Sequence, residues 1–186
     1  MAFFTDQTFK NLAPSDFKTG EYEHCIFLSC DFSNLNFQGS SFENCTFDSC
    51  DLSNSKVSKV SFQQVKFKNC KILGVHFNAA NPFLLEFHFQ NCQLDYCNFF
   101  NLQLKQSVFV SCRLLDVDFS QANLIGVSFQ ESDLMGAVFD QSNLEKADFR
   151  NTQNLRLDPE TNRIRGAYFD LNGLPGLLEK YGIKLG

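Results

Sequence analysis

Residues 94–149 contain the most regular pattern of the chain and read LDYCNFFNLQLKQSVFVSCRLLDVDFSQANLIGVSFQESDLMGAVFDQSNLEKADF. Every fifth residue in it is large and apolar, and Leu and Phe alternate without a break over twelve positions. These central residues are Leu94, Phe99, Leu104, Phe109, Leu114, Phe119, Leu124, Phe129, Leu134, Phe139, Leu144 and Phe149. The residue two positions before each centre is smaller, as in Cys92, Val117 and Ala147. A period of five fits neither a β-strand nor an α-helix, so the pattern indicates a short structural repeat.

The same period runs through the N-terminal half of the chain in another register. Its centres are Leu12, Phe17, Tyr22, Phe27, Phe32, Phe37, Phe42, Phe47, Leu52, Val57, Phe62, Phe67, Ile72 and Phe77. The next expected centre is occupied by Pro82, and the pattern resumes two residues late at Leu84 and Phe89. We therefore predict a two-residue insertion near residues 78–83, where Asn81-Pro82 is a turn signal.

Residues that lie 20 positions apart share one residue type once the insertion is allowed for. One such column contains only phenylalanine: Phe27, Phe47, Phe67, Phe89, Phe109, Phe129 and Phe149. This spacing predicts four pentads per coil, with stacked centres pointing inward and about seven coils between Leu12 and Phe149. Because Phe and Leu would fill the interior, we expect no cleft for a substrate.

Units such as Ala122-Asn123-Leu124 and Ala147-Asp148-Phe149 combine a small residue, a polar residue and a large apolar centre. They resemble the A(D/N)LXX motif of the pentapeptide-repeat family. The resemblance implies an all-β fold, the right-handed quadrilateral β-helix, in which five residues form one face and four faces form one coil. We expect a single domain over residues 1–186, with the coils at 12–149 and a short C-terminal helix.

Both ends of such a solenoid need a lid or a partner, because strand edges and core are open there. At the start, residues 1–11 are predicted to form an N-terminal cap, with Phe3, Phe4 and Phe9 against the first coil. At the other end, residues 150–186 are predicted to form a partial coil and a helical cap. By helical spacing the apolar residues of this cap share one face. They are Leu174, Leu177, Leu178 and Tyr181, and this face is the candidate dimerisation site.

The insertion carries the candidate loop residues Asn81, Pro82 and Phe83. Proline donates no ladder hydrogen bond and therefore suits a bulge. Phe83 and Leu85 are predicted to lie outside the inward positions, where they either patch the local surface or contact a partner. Phe87 takes a position that otherwise holds small residues, so irregular packing is expected there.

Composition restricts the classes of function. The 186 residues carry a net charge of -5 and contain 23 phenylalanines and no tryptophan, and the pI is about 5.1. An acidic chain disfavours direct nucleic-acid binding, since such domains are usually basic. With no long apolar run and no recognisable signal peptide, a cytoplasmic protein without membrane contact is expected.

All eight cysteines fall in the small position that should point inward, which predicts reduced, buried thiols. They are Cys25, Cys30, Cys45, Cys50, Cys70, Cys92, Cys97 and Cys112. Stacked side chains one rung apart lie too far apart for good disulfide geometry, and the spacing fits no metal site. His24, His76 and His88 are scattered, and none of the usual nucleophile or phosphate-binding motifs is present. We predict no catalytic residue, no cofactor, no metal and no enzymatic activity.

Charge is distributed unevenly along the chain. Residues 1–52 sum to -6, residues 53–85 carry five lysines without an acid, and residues 86–150 sum to -5. Among the acids of the last segment, Asp116, Asp118, Asp133 and Asp148 are the candidate partner-binding residues of an acidic face. Such a face would suit a basic groove.

Within the family, the chain is most similar to the Qnr-type quinolone-resistance proteins and to the microcin B17 immunity protein. The likeness to the latter rests on size and on residues 73–75, 104–113 and 158–164. It implies a homodimer joined at the C-terminal ends that mimics DNA and binds the type II topoisomerases DNA gyrase or topoisomerase IV. Such a protein protects these enzymes from quinolones or a gyrase-targeting toxin. The alternative is a pentapeptide scaffold that binds another protein partner.

Overall fold

A computed structural model describes residues 2–183 as a β-solenoid made of short parallel strands, which confirms the predicted fold class. Met1 of the predicted cap and residues 184–186 of the predicted C-terminal segment lie outside this range. The strands are β1 (Ala2–Thr5), β2 (Thr8–Lys10), β3 (Gly20–Glu23), β4 (Ile26–Leu28), β5 (Ser41–Glu43), β6 (Thr46–Asp48), β7 (Ser61–Gln63), β8 (Val65–Lys68), β9 (Phe87–Gln90) and β10 (Val108–Val110). Helix α1 (Pro175–Leu178) follows, and 3-10 turns cover Pro14–Asp16, Phe77–Ala79 and Glu179–Tyr181.

Two parallel sheets carry the regular strands. One has the order β1-β3-β5-β7 and the other the order β2-β4-β6-β8-β9-β10, so these strands alone make about five turns. Beyond β10, isolated parallel β-bridges between residues 20 positions apart continue the pairing of coils as far as Asp148 and Tyr168. Parallel pairing of every coil with the next is what a repeat of four pentads requires.

Four columns of inward centres define four faces, which follow one another along the chain in the order A, B, C and D. Face A is centred on Phe27, Phe47, Phe67, Phe89, Phe109, Phe129 and Phe149, and face B on Phe32, Leu52, Ile72, Leu94, Leu114 and Leu134. Face C is centred on Phe17, Phe37, Val57, Phe77, Phe99, Phe119 and Phe139, and face D on Tyr22, Phe42, Phe62, Leu104, Leu124 and Leu144. Face A therefore lies opposite face C, and face B opposite face D.

The phenylalanines of face A form one continuous stack of rings through the core. Neighbouring rings from Phe9 to Phe169 lie 4.6–5.3 Å apart between centroids and are close to parallel. Phe27, Phe67 and Phe129 thus share a face, as the sequence predicts, and all three are fully buried. Phe9 and Phe169 extend the stack by one ring at either end.

The N-terminal segment adds one further strand to each of the two parallel sheets, whereas the sequence predicts a cap there. Strand β1 pairs with β3 and β2 pairs with β4, with Phe4 opposite Tyr22 and Phe9 opposite Phe27. The spacing in both pairs is 18 residues, two fewer than in the regular coils. The 3-10 turn Pro14–Asp16 lies in the shortened connection, so the period is lost there although the inward positions are kept.

The insertion is present but is packed differently from the prediction. The pairing offset changes from 20 residues between Ser61 and Asn81 to 22 between Val65 and Phe87. Leu84, predicted as an inward centre, is 63% exposed, whereas Leu85, predicted outside the core, is buried. The Phe87 ring lies 5.5 Å from that of Phe62 and fills the space that a centre at position 82 would occupy. A bulky side chain at the small position thus compensates for the missing centre, because a void there would be costly.

The preference for Asp or Asn before each centre has a local cause. The side-chain oxygen of this residue accepts the backbone N–H two positions on, as in Asp118 to Ser120 at 2.9 Å and Asp133 to Met135 at 3.1 Å. Such Asx turns bend the chain at the corner between faces. Many corner residues accordingly have positive φ, and Asn is common among them. An Asn carbonyl can replace the carboxylate in this bond, which explains why the motif accepts both.

The cysteine side chains point into the coil, where they also act as weak hydrogen-bond donors. Cys50, Cys70 and Cys92 each place Sγ 3.4 Å from the carbonyl oxygen of a face A centre in the preceding coil. Ser132 continues this column and donates to the Phe109 carbonyl at 3.0 Å. Small size, together with a donor that reaches a carbonyl of the preceding coil, fits the occurrence of Cys and Ser at this position.

We expect all eight cysteines to be titrated as free thiols when the protein is denatured without reductant. All eight are buried and unpaired in the structure, and burial raises the pKa of the Cys45 and Cys97 thiols to about 12 each. In the folded protein these two thiols should therefore react much more slowly than an exposed thiol. A thiol count below eight, or bound zinc, would show that this account of the column is incorrect.

The C-terminal end forms a partial coil that is covered by helix α1. The Phe169 ring stacks on Phe149 at 5.3 Å, although the face that should contain position 159 is replaced by a turn at Asp158 and Pro159. Gly182 ends the helical segment with φ 62°, and its N–H donates to the Glu179 carbonyl. The helices of the described chain are too short to cross a bilayer.

Gly176 of α1 packs closely on the backbone of the last coil. A Cβ built on it would lie 1.8 Å from the Leu155 carbonyl oxygen, and its own carbonyl accepts the Leu157 N–H at 3.3 Å. Alanine is a better helix former than glycine, so any loss on replacement must come from this contact.

We expect Gly176→Ala to displace α1 and to cost about 1–3 kcal/mol, as overpacking does. Limited proteolysis should then cut the C-terminal segment faster than in the parent protein. Gly173→Ala is the matched control, because its Cβ would approach nothing closer than Asp170 Oδ1 at 3.5 Å. If the Gly176→Ala protein and the parent were cleaved at the same rate, α1 would not be held on the last coil by this contact.

Candidate partner-binding surfaces

The four acids proposed as one acidic face lie on three faces of the rod. Asp118 bridges to Val138 on face C, and Asp148 bridges to Tyr168 on face A. Asp133 precedes a face B centre, and Asp116 lies at the corner after the same face. The structure therefore distributes these charges around the C-terminal half and does not bring them together.

Asp118 and Asp133 are half-buried and engaged in neutral hydrogen bonds. Asp118 accepts from Asn98 Nδ2 at 3.2 Å in addition to its corner bond. Asp133 accepts from Asn154 Nδ2 at 2.7 Å. The Asn donors carry no charge, so these hydrogen bonds do not compensate the negative charge of either carboxylate.

The other two acids have different neighbours. Arg150 lies 2.6 Å from the carboxylate of Asp148 and lowers its pKa, which compensates much of this charge. Asp116 is exposed, and its carboxylate lies over Gly136 of the next coil, where a Cβ would come within 2.1 Å of Oδ1. Gly136 has φ 72°, so glycine is favoured there for conformation as well as for space.

An ion pair between the buried Asp95 and the exposed Arg113 on face B was not found by sequence reasoning. The side chain of Asp95 is 2% exposed and accepts two hydrogen bonds from Arg113 Nε at 2.9 and 3.1 Å. A further contact comes from the terminal nitrogen Nη2 of Arg113. The pair links one coil to the next, 18 residues on, a spacing that the 20-residue period does not reveal.

The five lysines of residues 53–85 are also divided among faces. Lys66 and Lys68 flank Phe67 on face A, and Lys71 on face B pairs with Asp51 at 3.1 Å. Lys56 and Lys59 lie on face C and are exposed. The run of positive charge seen in the sequence is thus a belt around the rod and not a patch.

The loop residues are held at the base and exposed at the tip. Asn81 donates to Ser61 Oγ at 3.0 Å and accepts the Phe83 N–H at 3.0 Å, a further Asx turn. Phe83 is 65% exposed, beside the equally exposed Leu84. The prediction that Phe83 lies outside the core is consistent with this position, while its role in partner contact stays a prediction.

The four candidate dimerisation residues have two kinds of environment. Leu177 packs against the core and Leu178 is half-buried, whereas Leu174 and Tyr181 are 40% and 50% exposed. Tyr181 donates its hydroxyl to Glu160 at 2.6 Å, and Lys180 joins Asp158 and Glu160 at the same distance. Exposed apolar neighbours on this end are Tyr168, Leu171 and Ile183.

Within residues 2–183, His, Cys, Asp and Glu side chains do not assemble into a group able to hold a metal ion. His24 and His88 lie next to Glu23 and Glu86, at 3.5 and 2.9 Å. The prediction that the protein is not an enzyme stays a prediction.

Comparisons of sequence give the following similarities. A family model described as a pentapeptide repeat region matches residues 15–99, and a model of pentapeptide repeats in eight copies matches residues 112–151. Together the two matches cover more than half of the chain. No curated protein sequence matches the chain significantly.

Comparisons of structure find similar folds. A trypsin-treated variant of QnrB1, described as a plasmid-mediated fluoroquinolone resistance protein, matches with a TM-score of 0.50 and 24% identity, covering 98% of this chain and 97% of that chain. Full-length QnrB1 matches with a TM-score of 0.49 and 22% identity, over 98% of this chain and 100% of that one. HetL from Nostoc sp. strain PCC 7120 matches with a TM-score of 0.45 and 13% identity, over 92% and 85%.

Proposed function

Because this chain belongs to the pentapeptide-repeat family, we propose that it is a DNA-mimicking rod that binds a type II topoisomerase. The partner is DNA gyrase or topoisomerase IV, and the contact is the surface on which these enzymes bind duplex DNA. Binding protects the topoisomerase from quinolones or from a toxin that targets gyrase. The protein acts by occupying a surface and needs no catalytic residue or cofactor.

The observation that carries this proposal is the placement of the acids around the rod. Duplex DNA presents about one phosphate charge per 1.7 Å of axis, distributed around its circumference. The acids on three faces of the C-terminal half likewise place negative charge around the circumference of the rod, at a lower density than in DNA. A single acidic face would resemble one side of a duplex only.

A rigid scaffold supports such mimicry. The core of stacked rings and buried leucines leaves each coil in register with the next, so surface charges keep fixed separations. A partner groove then meets preorganised charges and does not have to order them, which lowers the entropic cost of binding.

We further propose that two copies associate through the C-terminal end. Leu171 is 84% exposed there, and Leu174, Tyr181 and Ile183 add exposed apolar surface next to it. Exposed apolar surface of this kind marks interaction sites. An end-to-end homodimer would cover it and would place an acidic half of the rod on each side of the dyad.

A scaffold that binds some other protein is the alternative function. The observation that favours it is the loop tip, where Phe83 and Leu84 are exposed side by side. Apolar tips of this kind fit a hydrophobic pocket and have no counterpart on DNA.

A supercoiling assay separates the two functions. We expect the protein to restore supercoiling by gyrase, or decatenation by topoisomerase IV, in the presence of a quinolone. The same amount of protein should leave an unrelated DNA-processing enzyme inhibited to its usual degree. If neither topoisomerase is bound or protected, the topoisomerase proposal is wrong and the scaffold function replaces it.

A further inference from the structure

Face D has opposite charges at its two ends, although the chain as a whole is acidic. Near the N-terminal end, Glu21 and Glu23 lie on β3 and Glu43 lies on β5. At the C-terminal end, Arg163 and Arg165 flank Ile164, and Arg163 bridges to Asn143 of the same face. Charge counts along the sequence do not show this, because each coil of the rod contributes only a few residues to one face.

The charges at both ends are available to a partner. Glu21, Glu43, Arg163 and Arg165 are exposed. Within residues 2–183 none of these four forms an ion pair. These four side chains are therefore not neutralised by an ion pair within the described chain, whereas Glu23 lies 3.5 Å from His24 and Glu145 lies on the same face one coil before Arg165.

The centre of the face is apolar and protrudes. Counted along the ladder, the midpoint between Glu21 and Arg163 falls between Asn81 and Gln103. The loop tip with Phe83 and Leu84 projects at this place, beside a concavity that Lys105 helps to line. The face thus has an acidic end, an apolar centre and a basic end.

We infer that face D is a self-complementary surface on which a second copy of this chain packs side by side and antiparallel. The two copies are related by a two-fold axis that lies in the contact plane at the midpoint and runs along the strand direction. This axis reverses the order of the coils. It leaves the position of each residue across the width of the face unchanged. Glu21 and Arg163 both precede a centre, and Glu23 and Arg165 both follow one. The axis therefore brings Glu21 onto Arg163 and Glu23 onto Arg165 of the second copy, twice in an isologous dimer. It also sets Glu43 against Glu145, so in each half of the contact two pairs of opposite charge stand against one pair of like charge.

The same axis brings the two loops together. Glu86 of one copy then faces Lys105 of the other, and the tips with Phe83 and Leu84 pack near the dyad, which removes their apolar surface from water. This lateral contact is separate from the C-terminal contact and does not depend on any topoisomerase.

Charge reversal tests the inference in the full-length protein. The parent should self-associate at low salt, about 0.05 M, and less at about 1 M, where the Debye length falls to about 3 Å. The variant with Glu21→Arg and Glu23→Arg should lose this salt-sensitive association in sedimentation velocity. Its substitutions lie at the end of the rod opposite the C-terminal contact, so a loss cannot be assigned to that contact.

A complementary variant makes the test specific. The protein with Arg163→Glu and Arg165→Glu should also lose the association, and an equimolar mixture of both variants should recover it, because one then has two basic ends and the other two acidic ends. Recovery also shows that both variants are folded.

The control variant changes the net charge by the same amount, at residues that lie outside face D. Glu131→Arg with Asp140→Arg, on faces A and C, should associate like the parent. The inference is overturned if the parent shows no salt-sensitive association, if the Glu21 and Glu23 variant associates like the parent, or if the mixture fails to recover. Topoisomerase protection is measured in a separate assay. Failure of the lateral contact therefore does not count against the proposed function, and failure of the proposed function does not count against the lateral contact.

Discussion

Replacing Phe129 by alanine is expected to lower the free energy of unfolding by about 3–5 kcal/mol, the usual range for removal of a buried aromatic ring. Phe129 is fully buried and stacks on Phe109 and Phe149 at 5.3 and 5.1 Å. It also makes edge contacts with Phe119 and Phe139 at 5.5 and 5.7 Å. The cavity cannot close easily, because each coil is fixed by backbone pairing to the coils before and after it.

Denaturant unfolding followed by circular dichroism measures this loss. Phe83→Ala is the matched control, since the same side chain is removed from a site that is 65% exposed; its effect should stay within about 0.5 kcal/mol. A Phe129→Ala protein as stable as the Phe83→Ala protein would contradict the account of the core as one packed column of rings.

Replacing Asp118, Asp133 and Asp148 together by asparagine is expected to keep the fold and to abolish most of the protection of the topoisomerase. Each of these aspartates accepts the N–H of the residue two positions on, at 2.9–3.1 Å, and the asparagine carbonyl can accept the same bond. The ion pair of Asp148 with Arg150 is lost, but surface pairs contribute little to stability. The triple variant therefore removes charge from three faces with little change in shape.

The control for this variant removes the same charge elsewhere. Asp31, Asp48 and Asp51 lie in the N-terminal half on faces A and B, and their replacement by asparagine should leave protection close to that of the parent. Protection is read as the quinolone concentration that halves supercoiling. Undiminished protection by the Asp118, Asp133 and Asp148 variant would mean that acids around the C-terminal half are not the binding determinant.

The sequence was sufficient for the parts of the fold that repeat many times. The column from Phe27 to Phe149 recurs in every coil, so its period, its inward direction and the stacking could be predicted from spacing alone. The N-terminal level could not, because Phe4 and Phe9 give only two repeats before the connection shortens by two residues. At the insertion, the periodicity predicts that Leu84 points inward. The space in the core is filled instead by Phe87, because the inserted residues change which side chain can reach it.

The candidate site was predicted less well, for a reason that lies in the geometry. Asp118, Asp133 and Asp148 are 15 residues apart, which is three faces and not a full coil of four. The spacing itself therefore excludes a common face, and charge summed along the chain concealed this. The same summation concealed the opposite charges of face D, since Glu21 and Arg163 are distant in sequence but belong to one surface.

Competition between this protein and duplex DNA for gyrase is a direct test of DNA mimicry. A fluorescent DNA duplex bound at the DNA gate is titrated with the protein, and the released fraction is followed by anisotropy at several salt concentrations. We predict complete displacement, with an apparent affinity of the protein that weakens as salt rises, as expected for an acidic rod in a basic groove. Simultaneous binding of the duplex and the protein, or an affinity insensitive to salt, would contradict DNA mimicry.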